Sequence, residues 1–254
     1  QQNPDFIIEY LRLLEQNQID LGLRALSFNS EKRGYKHLKK PPKSIKTTVH
    51  AKSPSVITYE NFLSFEECQY LINQSQPILK ATAEQVALNP NTEIDAFSGS
   101  SAILTAMYSS PVSRDVQQRI ADLVKSPVSY FEPVSILRYS IGDEYSLHTD
   151  SFDESRTKKH EQEGDFGGQR MTTNLIYLLP ALDGGQTEYP TPQITVKGQT
   201  GMLIIHSNSK TNFEADENSL HIGKPIIAGE KWLLRTAVRQ YQLFGNNKIP
   251  LKPS

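Results

Sequence analysis

The sequence predicts an α+β fold with a β-sandwich or jelly roll at its centre. Three observations carry this expectation. Helical periodicity is confined to the first half of the chain. About eight short apolar segments make up most of what remains. Gly and Pro punctuate them, as in LPALDGGQ and VKGQTG. Helices followed by a run of short strands is the pattern of an α+β domain.

Taken in order, residues 5–27 carry Ile7, Ile8, Leu11, Leu13, Leu14, Ile19, Leu21 and Leu23 at helical spacing, which suggests one helix and a second short one. Residues 31–46 are basic and contain Pro41-Pro42, the composition of a solvated linker or arm. PSVITYENFL then reads as a strand. It leads into SFEECQYLINQSQP, where Ser64 and Glu67 have capping-box spacing ahead of a helix. Cys68 falls on the apolar face of that helix and reads as packing. SRDVQQRIADLVK, 113–125, is a second amphipathic helix. VSILRYS, TTNLIYLL, TEYP, QITV, GMLIIHS, KPIIAG and KWLLRTAVRQYQL are the strands. No internal repeat is visible.

Composition excludes several classes. The formal net charge of the 254 residues is −1, which argues against nucleic acid or an anionic membrane as main partner. No apolar run approaches the ~20 residues of a membrane span. Cys68 is the single cysteine, so no intrachain disulfide forms, and a reducing, cytoplasmic compartment is the expectation. A start at Gln1 rather than Met reads as a trimmed N-terminus.

Chemistry first surfaces in LRYSIGDEYSLHTDSF, residues 137–152, where His148 and Asp150 stand two apart after a strand. A His-x-Asp pair by itself is common. It becomes a metal site if a distant histidine completes the 2-His-1-carboxylate triad, which holds Fe(II) by one face and leaves three positions open. Of the six histidines, His37 and His50 lie in the N-terminal arm, and His160 sits in a hydrophilic stretch. His206 ends the strand GMLIIH and reads as a residue flanking the site. His221, 73 positions after His148, precedes a strand pair that a jelly roll can bring to the same mouth. Lys231, ten residues further on, follows a tight turn at Ala228-Gly229. Its ammonium would lie deep in the roll, where a cation can hold the remote carboxylate of a 2-oxo acid. Tyr139 and Thr173 can each offer a hydroxyl to that carboxylate.

Five segments stand in the order, and with the spacing, of a known family: VITYENFLSFEECQYLI, FEPVSILRYSIGDEYSLHTDSF, GGQRMTTNLIYLLPALDGGQTEYP, VKGQTGMLIIH and SLHIGKPIIAGEKWLLRTAVR. Over residues 54–244 the chain resembles the prolyl 4-hydroxylase-like Fe(II)/2-oxoglutarate dioxygenases. The resemblance implies a double-stranded β-helix (jelly-roll) core with supporting helices and an N-terminal helical extension. The corresponding division is an extension and basic linker at 1–52, a dioxygenase domain at 53–246 and a tail at 247–254. His148, Asp150 and His221 match the iron ligands, and Lys231 matches the residue that pairs with 2-oxoglutarate. Tyr139 and Thr173 match its assisting hydroxyls. Glu132 and Arg170 match positions that face the primary substrate in peptide-binding members, and residues 155–167 match a mobile loop near it.

The chain also departs from the family. Phe97-Ser98-Gly99-Ser100 stands where peptide-binding members open an R-T-S-type motif with a basic residue. Ala237 takes the second aromatic position after Lys231-Trp232, and Arg239 replaces the residue two further on. The iron and cosubstrate residues are intact while the prolyl-peptide surface is altered.

The implied activity is hydroxylation of an amino-acid side chain, in a peptide or a small molecule. Its cofactors are Fe(II), 2-oxoglutarate and O2, ascorbate is supportive, and succinate and CO2 are coproducts. The intact Asp150 favours hydroxylation over halogenation and leaves desaturation or cyclisation open. A slow metal- and cosubstrate-binding sensor and a metal-free interaction module are the alternatives. The apolar N-terminal helical faces suggest a homodimer contact.

Overall fold

The computed structural model describes residues 45–88, 100–103, 111–153 and 167–243. The expected N-terminal helices and their dimer contact, His37, residues 97–99 and the loop with His160 all lie outside these residues.

The core is a seven-stranded antiparallel sheet packed against a smaller one. Its strands are β1 (Lys46–Lys52), β2 (Ser55–Glu60), β3 (Ser100–Ile103), β4 (Ser135–Tyr139), β6 (Arg170–Leu179), β10 (Leu203–Ser207) and β13 (Lys231–Arg239). They run in the order β1-β2-β10-β6-β13-β4-β3. The smaller sheet has the order β5-β11-β8-β9, from Tyr145–His148, His221–Gly223, Thr187–Tyr189 and Ile194–Val196. A two-stranded ribbon of β7 (Asp183–Gly184) and β12 (Ile226–Ala228) completes the roll. Sheet pairing begins at Lys46, inside the stretch whose composition reads as linker, and Lys46 pairs across to Glu60 at 2.8 Å.

Both faces of the central strands β6, β10 and β13 are covered, which is why they read as nearly unbroken apolar runs. One face of β6, β10 and β13 gives Ile176, Leu178, Leu203, Ile205, Trp232 and Leu234 to a core shared with the helices. The other face gives Leu175, Tyr177, Ile204 and Leu233 to a second core, against Tyr189 and Val196 of the smaller sheet. Lys231 and Arg235 share the parity of Leu233, and so the functional side chains enter the space between the sheets.

Helix α1 (Phe65–Leu88) starts with the expected capping box: Ser64 N donates to Glu67 Oε2 at 2.8 Å, and Glu67 N donates to Ser64 Oγ at 3.2 Å. The second carboxylate oxygen of Glu67 accepts from Arg119 of α2 (Pro111–Val124) at 2.9 Å, so the cap also ties the two helices together. The helix runs through Pro77 to Leu88, well past the end of its sequence signal. Beyond that proline Leu79 is buried in the core, a gain that offsets the lost backbone bond. Cys68 is buried in the same core, and burial pushes its thiol up to about 12, consistent with inert packing. No helix among the described residues is long and apolar enough to cross a membrane.

Candidate active site

Strands β5 and β11 pair antiparallel with His148 directly opposite His221. Asp150, two residues beyond the end of β5, turns into the same space and is only 4% exposed. One ligand atom from each of the three lies within 4.8 Å of the others. The two histidines are oriented alike: His148 Nδ1 bonds Ser146 O at 2.7 Å, and His221 Nδ1 bonds Ser219 O at 3.0 Å. A backbone carbonyl can only accept, so the proton sits on Nδ1 and Nε2 carries the free lone pair. Tyr145 stacks on the His148 ring with centroids 3.6 Å apart. Burial and then the neighbouring His221 push His148 down to about 4, so near neutral pH the imidazole is neutral and Nε2 can bind a metal.

Burial alone would push the Asp150 carboxyl up. Arg235, then His221, His206 and Arg170, instead hold it well below the usual carboxylate range. Arg235 Nη2 lies 3.4 Å from Asp150 Oδ1, and on the other oxygen Thr173 Oγ1 donates to Oδ2 at 2.6 Å. Arg235 lines the cavity beside the triad and is the largest feature the sequence reading missed. Its signal was strand parity, four residues after Lys231 on one face of β13.

Lys231 does reach the interior. It is 1% exposed, its Nζ donates to Gly185 O at 3.1 Å, and the ammonium lies 4.1 Å from the Tyr139 ring centroid. No carboxylate among the described residues pairs with it, and desolvation lowers it to about 8. Tyr139 lines the same cavity, and burial holds its hydroxyl in the protonated, donating form.

Three of the expected site residues have partners within the chain. Thr173, expected to offer a hydroxyl to the cosubstrate, donates to Asp150 Oδ2 at 2.6 Å, and its oxygen accepts from Asn208 Nδ2 at 2.8 Å. Glu132 and Arg170, expected to face the primary substrate, bind each other, Arg170 Nε to Glu132 Oε1 at 2.6 Å. Glu132 also pairs with Arg239 at 3.1 Å and Arg235 at 3.9 Å, and these guanidinium groups hold its carboxyl down against the upward push of burial. Phe152 packs under both Arg170 and Arg239, at 4.6 and 5.0 Å from its centroid. Arg239, which departs from the family pattern, is therefore the outer end of a buried charge cluster that begins at Asp150.

His206 is fully buried, with Nε2 3.8 Å from Asp150 Oδ2 and its ring 4.6 Å from that of His221. Neither of its ring nitrogens has a hydrogen-bond partner among the described residues. It flanks the triad, as its place at the end of GMLIIH suggests.

Two imidazoles and a carboxylate suit Fe(II), and a buried ammonium with no anion suits the far carboxylate of a 2-oxo acid. The residues present therefore fit both groups.

No family model matches the chain. It is 30% identical over 207 residues to "Probable prolyl 4-hydroxylase 3" of Arabidopsis thaliana, covering 73% of this chain and 69% of that protein. It is 29% identical over 212 residues to "Prolyl 4-hydroxylase 1" of the same plant, covering 78% and 73%. Among solved structures, the viral collagen prolyl hydroxylase vCPH from Paramecium Bursaria Chlorella virus-1, in its 2OG complex, superposes with a TM-score of 0.56. That match has 23% identity and covers 72% of this chain and 95% of the other, a likeness of fold.

Proposed function

The chain belongs to the prolyl 4-hydroxylase family, and on that premise we propose that it hydroxylates an unactivated C–H bond of an amino-acid side chain, in a peptide or in a small molecule. It is a 2-oxoglutarate-dependent dioxygenase with Fe(II), 2-oxoglutarate and O2 as cofactors. The observation that carries the reading is the pairing of the His148–Asp150–His221 cluster with the anion-free ammonium of Lys231 in one cavity.

When bound, the iron with 2-oxoglutarate and O2 supplies the oxidant that inserts oxygen into C–H, leaving succinate and CO2. The protein supplies positions and charge. His148 and His221 present Nε2, and Asp150 presents a carboxylate kept ionised by its arginine neighbour. Lys231 holds the remote carboxylate of the cosubstrate, and Tyr139 offers it a hydroxyl. Leu137, Leu175 and Leu233 give the cavity an apolar lining beside these groups. The cluster of Glu132, Arg170 and Arg239 braces the wall beside Asp150.

An anaerobic titration of the protein with Fe(II) and 2-oxoglutarate tests the reading. A visible charge-transfer band in the parent that is absent from His221→Ala is expected. A folded parent with no band would overturn it. Succinate release, screened with proline-rich peptides and free amino acids side by side, then identifies the substrate.

A further inference from the structure

Asn208, Thr173 and Asp150 form a buried line of hydrogen bonds, Asn208 Nδ2 to Thr173 Oγ1 at 2.8 Å and Thr173 Oγ1 to Asp150 Oδ2 at 2.6 Å. Thr173 and Asn208 are fully buried. Chemistry fixes the direction of both bonds. An ionised carboxylate only accepts, so the single hydroxyl proton of Thr173 points to Asp150. The hydroxyl oxygen can then only accept, so Asn208 must present its NH2. This leaves Asn208 Oδ1 buried without a hydrogen-bond partner among the described residues. Such an orphan is costly, and the orientation persists because the chain to Asp150 dictates it. The backbone holds the same geometry, since Asn208 N donates to Met171 O at 2.9 Å, two residues before Thr173.

We propose that Thr173 and Asn208 are positioning residues that make the two oxygens of Asp150 inequivalent, so that the metal takes only one of them. The inference rests on the reading of Asp150 as a metal ligand. Oδ2 carries a short charge-assisted bond, whereas Oδ1 carries the longer contact to Arg235 at 3.4 Å and faces His148 Nε2 at 3.9 Å. Coordination therefore falls to Oδ1. The count of open positions gives this a purpose. Two imidazoles and one carboxylate oxygen leave three sites of an octahedron, two for a chelating cosubstrate and one for O2. A carboxylate bound through both oxygens would take the last of them.

The test uses Co(II) alone as the probe, followed by its ligand-field absorption in the full chain, with 2-oxoglutarate titrated separately. Thr173→Val keeps the shape and removes the donor, and it should weaken Co(II) binding by roughly 10–100-fold and change the ligand-field spectrum. Thr173→Ser restores the hydroxyl and should return both readouts close to the parent's, which a packing role would not require. Asn208→Leu leaves Thr173 in place and should shift both in the direction of the Val variant. It carries the test if Thr173→Val does not fold. A Val or Leu variant with unchanged Co(II) affinity and spectrum overturns the inference. If its 2-oxoglutarate affinity alone falls, Thr173 serves the cosubstrate after all. A parent that binds no Co(II) overturns the metal reading, and the inference with it.

Discussion

His148 and His221, 73 residues apart in the chain, are cross-strand neighbours on β5 and β11 with ring centroids 4.2 Å apart. The metal-binding pair is thus a consequence of strand register. A slip of one residue would turn one imidazole to the opposite face of the sheet.

Gly223, two residues along β11, shows how tightly that register is packed. A Cβ there would lie 3.2 Å from Tyr145 Cβ and 3.5 Å from Lys231 Nζ. Overpacking of this kind costs about 1–3 kcal/mol. Gly223→Ala should therefore weaken 2-oxoglutarate binding roughly tenfold while leaving Co(II) affinity close to the parent's. Loss of Co(II) binding instead would mean that the strand pairing, not the cavity, had given way.

Lys231 trades stability for binding. Among the described residues its buried ammonium has no anionic partner, and the proposed cosubstrate would supply one. Lys231→Met should raise the stability of the cosubstrate-free protein by about 1–3 kcal/mol and abolish 2-oxoglutarate binding. Urea unfolding and a binding titration on the same sample check both. A variant less stable than the parent would contradict the assignment of an unpaired charge.

The same lysine sets a pH dependence. Its free-protein value of about 8 lies below its ordinary 10.5. Below pH 8 the ammonium is already charged and cosubstrate affinity should be flat. Above it, binding must recruit a proton, and the apparent Kd for 2-oxoglutarate should rise by up to about tenfold per pH unit. The folded state binds fewer protons than the unfolded one between these values. Stability without cosubstrate should therefore increase from pH 8 to 10.5 relative to Lys231→Met, by at most about 3 kcal/mol. A pH-independent Kd across this window would place the carboxylate elsewhere.

Glu132 neutralises a cluster of arginines from within. Removing its charge leaves Arg170, Arg235 and Arg239 facing one another in a largely desolvated space. Glu132→Gln should cost about 3–5 kcal/mol in chemical unfolding. Glu132→Gln with Arg239→Gln should recover part of the loss, whereas no coupling between the two would show that the pair is not interacting.

Much of the site was legible because its residues follow strand periodicity and motif order. His148, Asp150, His221 and Lys231 meet as their spacing suggested, and the turn before Lys231 does contain a glycine at φ +79°, Gly229. The identities of neighbours across strands were less accessible. Thr173 bonds Asp150 and Asn208, 23 and 35 residues away, long-range contacts that no local pattern records. That Glu132 and Arg170 are also each other's partners was hidden by 38 residues of sequence separation across a 2.6 Å contact. Strands β1 and β3 escaped notice for a related reason. They are edge strands with polar sequences, KTTVHAK and SSAI, and half of their pairing is absent.

Asp150 follows a strand of the smaller sheet, yet Thr173 and Arg235, which grip it, belong to the larger one. The triad and its neighbours therefore clasp the two halves of the roll, and an unfolded chain offers iron no such grip. Iron at one hundred times its Kd would add about 2.7 kcal/mol to the folded state. Under iron scarcity the expectation is a shorter-lived protein as well as an idle one, with protease resistance rising and falling with metal supply.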